Sequence, residues 1–495
     1  MNNILSRLPP ELLAPILSEL TVDDKKHISL TDSTMRTIMA PYLYTTIVID
    51  CPVPESSSLS NVTQKYGLFV KSLYLRIHIY PNNKEPDREE IYGDSDEDDG
   101  DEKSVSEDEA NHMIQKGQQE EYQGDEEAKD DTGLPSGDFD YETFWENPPA
   151  SVWARKAADA PVVRDIIQSK GLPNCRTLII TVDPNKTHKL YNERYWDEYS
   201  EDKYHFCRSS EVWEKVQRLE KVYAWRATMR DMWYDIATLS KAERLVIHDF
   251  MPKRVTTWQK SEWASFLGGL RDLTLFMYGK YNETSWPASV YYGFTDFLQN
   301  LSTDMWQHLS KLERLKIVAH EKGFIDHRSM DFPLGSMPSL RTIYLENVTA
   351  TDVLTEYLRG GCPHLEEIHL KDCVAGGWTL KTATTWGELW QAARETGERP
   401  IRIIWEESYA PHQEGDEDPD EDLRGSWAYA YEKLKATEPF RVWPYAKLRG
   451  HGMEMNRGIV EYLKESDDSR EYIKLLEEME WRRSKISLGT NQLPN

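Results

Sequence analysis

A short apolar signature, L-x-x-L-x-L, recurs through the chain and constrains its fold more than any other feature. It stands at Leu270/Leu273/Leu275, Leu312/Leu315/Ile317, Leu340/Ile343/Leu345 and Leu365/Ile368/Leu370, with looser copies at Cys175/Leu178/Ile180, Leu219/Val222/Ala224 and Ala242/Leu245/Ile247. The last two apolar positions alternate as in a strand with one buried side. From middle residue to middle residue the steps are 23 (Val222 to Leu245), 28 (Leu245 to Leu273), 28 (Leu315 to Ile343) and 25 (Ile343 to Ile368). Steps of 42 (Leu273 to Leu315) and 44 (Leu178 to Val222) imply insertions. One such strand cannot cover its own apolar side, so the repetition predicts parallel strands stacked side by side with helices against them.

The best-formed unit, TATDVLTEYLRGGCPHLEEIHLKDC, reads as a capped helix, a Gly-Gly stop and a strand. Thr349 or Thr351 suits the N-cap, Gly360 or Gly361 the left-handed C-terminal position, and Cys373 falls where leucine-rich repeats place Asn or Cys. The periods lie in the window of such repeats. The expected fold class is therefore α/β, an irregular leucine-rich-repeat solenoid over residues 62–405 with parallel strands on the concave side and helices outside. An ordinary parallel α/β sheet is the other arrangement the pattern allows. Gly387 to Thr396 and Ile401 to Trp405 supply a last helix and strand. Residues 406–495 read as an acidic loop (Glu414 to Asp422) and a helical C-terminal cap, with Tyr462, Ile473, Leu475, Leu476 and Met479 as its apolar contacts.

Charge separates one segment from the rest. The formal net charge is −26, and Glu85 to Glu142 alone holds 24 acidic against 4 basic residues, leaving about −6 for everything else. With few apolar residues and strong self-repulsion, residues 82–142 are expected to be a disordered insert in the solenoid. Ser95 and Ser106 have carboxylates three residues on, at Asp98 and Glu109, a setting for an acidophilic kinase. The balance disfavours nucleic acid as a partner, because phosphate recognition needs a basic face. Five Cys without a CxxC pair exclude a disulfide scaffold and a zinc ribbon. MNNILSRLPPELL lacks a long apolar h-region, and no run approaches the roughly 20 apolar residues of a membrane span, so cytoplasm and/or nucleus is expected.

Residues 1–50 open with helical patterns. Leu12, Ile16, Leu17 and Leu20 share a face, with Pro9, Pro10 and Glu11 suited to a first turn and Pro15 expected to kink the helix or delay its start. Asp23 suits the cap of a second helix carrying Ile28 and Leu30; Asp32 or Ser33 suits that of a third, ending at Pro41. Tyr42 to Ile49 then reads as a strand. Taken together, Leu8-Pro9-Pro10-Glu11-Leu12-Leu13, Ile16-Leu17-Ser18, Leu20, Ser29-Leu30, Arg36 and Pro41-Tyr42-Leu43-Tyr44 resemble an F-box, in the version joined to divergent leucine-rich repeats in fungi. The resemblance covers about a tenth of the chain. It implies that this segment docks on a Skp-family adaptor, and through it on cullin and RING subunits of a ubiquitin ligase, with Leu8, Pro9, Pro10, Leu12, Ile16, Leu17, Leu20 and Leu30 as adaptor-binding residues. So short a helical unit has too little core to stand alone, and its apolar side chains need either a partner or the first repeat to cover them.

Signs of chemistry are few. No GxxxxGK[ST], HExxH or GxSxG occurs, and the 13 His have no metal-ligand spacing, so neither catalysis nor a cofactor or metal is expected. The 17 Trp suit binding anchors or core filling equally, seven of them (Trp378, Trp386, Trp390, Trp405, Trp427, Trp443 and Trp481) lying in the last 120 residues. The expected function is a non-catalytic substrate receptor. Outward strand positions then give the substrate-binding residues as Tyr223, Trp225, His248, Phe276, Lys316, Tyr344, Glu346, His369 and Lys371. The alternatives are an F-box-like scaffold without substrate ubiquitination, or an acidic histone-binding or chromatin protein in which the insert captures basic partners.

Overall fold

The computed structural model describes residues 8–51, 59–78, 160–183, 210–222, 224–278, 292–320, 330, 332–360, 362–377, 384–396, 399–406, 445–449, 452–455 and 468–490. The acidic segment, with Ser95 and Ser106, lies outside them, as do Tyr223, Tyr462, Trp378, Trp427 and Trp443. All of the described residues belong to one unit, formed by residues 1–80 and 149–495.

Three short helices come first: α1 (Pro10–Glu19), α2 (Val22–Thr31) and α3 (Ser33–Leu43). Proline at the first position starts α1, which continues through Pro15 instead of starting after it. Thr21, not Asp23, caps α2: the Asp24 N–H donates to Thr21 Oγ1 (3.1 Å), and the Thr21 N–H donates to Asp24 Oδ2 (3.2 Å). Asp32 caps α3 through the Met35 N–H (2.8 Å), and α3 runs past Pro41 to Leu43. The first strand is accordingly later than Tyr42 to Ile49, at β1 (Thr46–Cys51).

The chain then alternates helices and strands: α4 (Leu59–Tyr66), β2 (Ser72–His78), α5 (Ala160–Ile167), β3 (Thr177–Asp183), α6 (Trp213–Val222), α7 (Ala224–Leu239), β4 (Arg244–Phe250), α8 (Ser261–Leu267), β5 (Asp272–Met277), α9 (Tyr292–Asp304), β6 (Arg314–Val318), β7 (Thr342–Glu346), α10 (Ala350–Arg359), β8 (Glu367–Lys371), β9 (Ala375–Gly377), α11 (Trp386–Glu395) and β10 (Arg402–Glu406). After these come β11 (Tyr445–Arg449), β12 (Gly452–Met455) and α12 (Asp468–Thr490). The protein is α/β. Strands β1 to β8 and β10 form a nine-stranded sheet in which every pair is parallel and spatial order follows chain order. Strands β12, β11 and β9 form a separate small sheet.

Register turns the sequence signature into rows. Leu73, Leu178, Leu245, Leu273, Leu315, Ile343, Ile368 and Ile403 align across the sheet, and Leu75, Ile180, Ile247, Leu275, Ile317, Leu345, Leu370 and Trp405 align beside them. Apart from the half-buried Ile403 and Trp405 at the last strand, all of these are buried, and they share one core with side chains of α5 and of α7 to α12. Burying each such side chain contributes about 1.5–3 kcal/mol. Trp233, Trp258 and Trp263 meet edge-on or stacked within this core, and Trp386 stacks on Trp390, so most described tryptophans fill space between helices and sheet.

One expectation fails here. Leu219, Val222 and Ala224 are not a strand, since α6 and α7 span them. The 3–2 apolar spacing there belongs to a helical pattern, with Val216, Met229, Met232, Trp233 and Ile236 buried at helical intervals. Of the two glycines expected at the left-handed position, Gly360 ends α10 with φ −68° behind Thr349 as N-cap, and Gly361 lies outside the described residues. At the ends of β4, β7 and β8 the backbone is left-handed at Asp249, Asn347 and Asp372 (φ 50°, 57° and 50°), as it is at Ser169, Met337, Gly171 and Gly335 elsewhere. Asn and Asp tolerate that conformation better than other non-glycine residues.

A buried ionic cluster anchors the insertion between β3 and β4. Glu211 accepts from Arg226 (2.9 Å) and Lys253 (2.8 Å), and Arg254 donates to both oxygens of Asp304 (2.8 and 3.1 Å) while lying 3.8 Å over Trp213. Burial alone would raise the Glu211 carboxyl, but Lys253 and Arg226 outweigh it and hold it below the usual range. At Asp304 burial wins over Arg254, and the carboxyl is raised.

Candidate functional site

The face of the sheet opposite the helices is polar and half-exposed, because strand alternation turns every second residue to it. Of the substrate-binding residues expected from the sequence, His248, Phe276, Lys316, Tyr344, Glu346, His369 and Lys371 lie on this face, on β4 to β8. Trp225 does not: it falls in α7, and its expected place on a strand is withdrawn because the segment is helical; Tyr223 lies outside the described residues.

These side chains form a connected band. The His248 and Phe276 rings stack at 4.5 Å with an 8° interplanar angle. The Lys316 ammonium lies 5.9 Å from the Phe276 ring centroid and 3.9 Å from that of Tyr344, a cation–π arrangement worth about 0.5–2 kcal/mol. Tyr344 meets His369 edge-on at 4.5 Å and donates its hydroxyl to Glu346 (2.7 Å), which also accepts from Lys371 (2.7 Å).

The band extends to residues that the sequence reading left out. Tyr74 on β2 shares a hydrogen bond with Thr181 (2.8 Å) and its ring lies 6.2 Å from His248. Arg76 donates to Asp50 (2.8 Å), and on β10 Glu406 Oε1 lies 3.2 Å from His369 Nε2 without hydrogen-bond alignment. The alternation Leu73-Tyr74-Leu75 is the local signal that could have found Tyr74, and the register across β3 is what brings it to the band.

Electrostatics fixes the protonation of several members. Burial, then the hydrogen bond to Glu346, pushes the Tyr344 hydroxyl far above its ordinary value, so it remains a donor. Burial would raise Glu346, yet hydrogen bonds from Lys371 and Tyr344 hold it low, and the same bond raises Lys371. Burial also lowers His248 against the opposing charge of Asp249, favouring the neutral ring. The thiols of Cys51 and Cys373 are pushed up to about 12 and that of Cys362 to about 11 by burial, which keeps them protonated and poorly nucleophilic near neutral pH. Among the described residues no cluster of His, Cys, Asp or Glu is placed to hold a metal, and no helix is long and apolar enough to cross a membrane.

A second candidate surface is the helical unit α1 to α3. Its own core is small: Leu13, Leu17, Met35 and Met39, with Leu8, Leu20, Ile28, Ile38 and Leu43 partly buried against it. Leu12, Ile16 and Leu30 remain 58%, 43% and 70% exposed, and Pro9 is exposed too. Leu17 is fully buried, so its contribution is to the fold of the unit and not to a docking surface. Pro10 opens α1. The unit meets the sheet domain where Tyr44 stacks on Tyr66 at 3.8 Å.

No protein-family model matches the chain, and no curated protein matches it.

Proposed function

We propose that the protein is a non-catalytic substrate-recognition subunit of a Skp–cullin–F-box-type ubiquitin ligase. In this reading residues 1–50 are an F-box that binds a Skp-family adaptor, and the chain-ordered parallel sheet is a divergent leucine-rich-repeat solenoid whose open face binds a protein substrate. The observation that carries the reading is the exposure of Leu12, Ile16 and Leu30 on a helical unit with a core of only a few side chains. Apolar groups left in water beside so small a core favour a partner surface. The in-register rows of the sheet support the repeat reading, and the aromatic and charged band supports a protein partner, since aromatic anchors dominate such interfaces.

The test is affinity purification of the full chain after the proteasome is blocked, followed by half-life measurements on the co-purifying proteins. The adaptor should be recovered in near-equal amount, and at least one other partner should live longer in cells lacking the chain. Adaptor without any stabilised partner would favour a scaffold; absence of adaptor would refute the reading.

A further inference from the structure

The helical unit and the sheet are built on separate cores. Leu13, Leu17, Met35 and Met39 close the first, and the rows of the sheet with the helices against them close the second. Between α3, which ends at Leu43, and β1, which starts at Thr46, lie only Tyr44 and Thr45. Each is tied to a different side. The Tyr44 N–H donates to the Ala40 carbonyl (3.0 Å) and finishes α3, while the Thr45 carbonyl accepts from the N–H groups of Lys71 and Ser72 (2.8 and 3.0 Å) at the start of β2. With one anchor on the helix and the next on the sheet, any turn of the helical unit along the chain is concentrated in the soft torsions of Tyr44 and Thr45. The Tyr44 side chain leaves the backbone at this point and lies on Tyr66, with ring centroids 3.8 Å apart and planes 5° apart. Tyr66 belongs to the sheet side, because it ends α4, whose Leu59 and Val62 pack on the larger core. The Lys65 ammonium lies 5.1 Å from the Tyr66 ring centroid and adds a cation–π contact to the same ring. Turning the backbone at Tyr44 would swing its ring off Tyr66, so the stack opposes the one rotation that the connection permits.

We infer that the stack of Tyr44 on Tyr66 is the lock of a hinge at Tyr44 and Thr45, holding the helical unit at one angle to the sheet. The inference goes beyond the function proposed above and does not need it. Where the helical unit and the open face each take a partner, the lock holds the two partners at a fixed separation, and Tyr44 and Tyr66 act as positioning residues that touch neither.

The experiment is pulsed electron double resonance on the full chain, with one nitroxide at Thr34 in α3 and one at Ser265 in α8, both exposed. Each label is carried on a ketone-bearing amino acid, so the buried cysteines stay untouched. The wild-type chain should give one narrow distance distribution, and Y66F, which keeps the ring, should reproduce it. In Y66A and in Y44A the distribution should broaden about twofold or more, while amide exchange shows α1, α3 and β2 to β4 as protected as before. An unchanged width in both alanine variants overturns the inference. So does broadening accompanied by lost protection of α1 and α3, which would make the rings part of the helical unit's core; if Y66A fails to fold, Y66L, which keeps apolar bulk without the ring, decides between the same two outcomes. Adaptor affinity should be equal in the wild type and Y66A, and a loss in Y66A would place Tyr66 in the docking surface and contradict its role as a lock. Absence of adaptor binding by the wild type sinks the ligase reading alone, whereas an unchanged width sinks only the lock.

Discussion

Arg482 donates a 2.6 Å hydrogen bond to the carbonyl oxygen of Arg394, in the last turn of α11, and its guanidinium also reaches the carbonyls of Thr396 (3.1 Å) and Arg399 (3.2 Å). At the other end of α11 the Gly387 N–H donates to Asp468 Oδ1 (2.7 Å). Helix α12 thus places an anion at the N-terminus and a cation at the C-terminus of α11, each the sign that the helix dipole favours. Replacing Arg482 by Met strands carbonyls in a buried setting, a loss of about 1–3 kcal/mol. Amide hydrogen exchange over residues 386–396 should accelerate in R482M while that of β2 and β3 stays constant; uniform protection would show that α12 does not hold α11.

The Glu211 cluster should show in the acid limb of stability. Its folded carboxyl lies below its unfolded value, so its stabilisation is fully present above the unfolded pKa, about 4.3, and is lost as pH falls through the folded one. The thermal midpoint of E211Q should therefore fall less steeply than that of the wild type below about pH 4.5. Equal slopes would mean that Glu211 is not ionised in the native cluster. Removing Arg226 instead, as R226M, leaves Glu211 buried with less compensation and should cost about 3–5 kcal/mol.

Much of the sheet was legible because alternation and register agree. Leu273, Leu315, Ile343 and Ile368 were marked by spacing alone and align in one row. The reading failed at Leu219/Val222/Ala224 because three apolar positions do not separate a strand from a helix; the buried residues of α6 and α7 extend from Val216 to Ile236 and needed a longer window. Partnerships across insertions, such as Tyr74 with Thr181, 107 residues away, have no local signal at all. The same holds for the choice between core and surface at Leu17 and Leu12, which share one helical stripe and differ only in what the next helices cover.

Core rows should respond as packed interiors. Leu315→Ala, at a fully buried position in the middle of the sheet, should destabilise by about 2–5 kcal/mol. Leu12→Ala, at an exposed position, should change stability by less than about 0.5 kcal/mol. Chemical denaturation of both variants checks the contrast, and equal losses would contradict the burial pattern.

Deleting Glu90 to Asp131 removes charge and few apolar groups, so the thermal midpoint and adaptor binding should stay close to those of the full chain. A large fall in the midpoint would assign that segment to the core.

Adaptor affinity is the most direct test. Calorimetric titration of the purified full chain with a Skp-family adaptor should give a dissociation constant of about 1 μM or tighter, and Leu12→Asp with Ile16→Asp should weaken it about a hundredfold or more while leaving the thermal midpoint unchanged. No heat of binding from the folded wild-type chain, or equal affinity for the double variant, would contradict the assignment of residues 1–50 as an adaptor-docking unit.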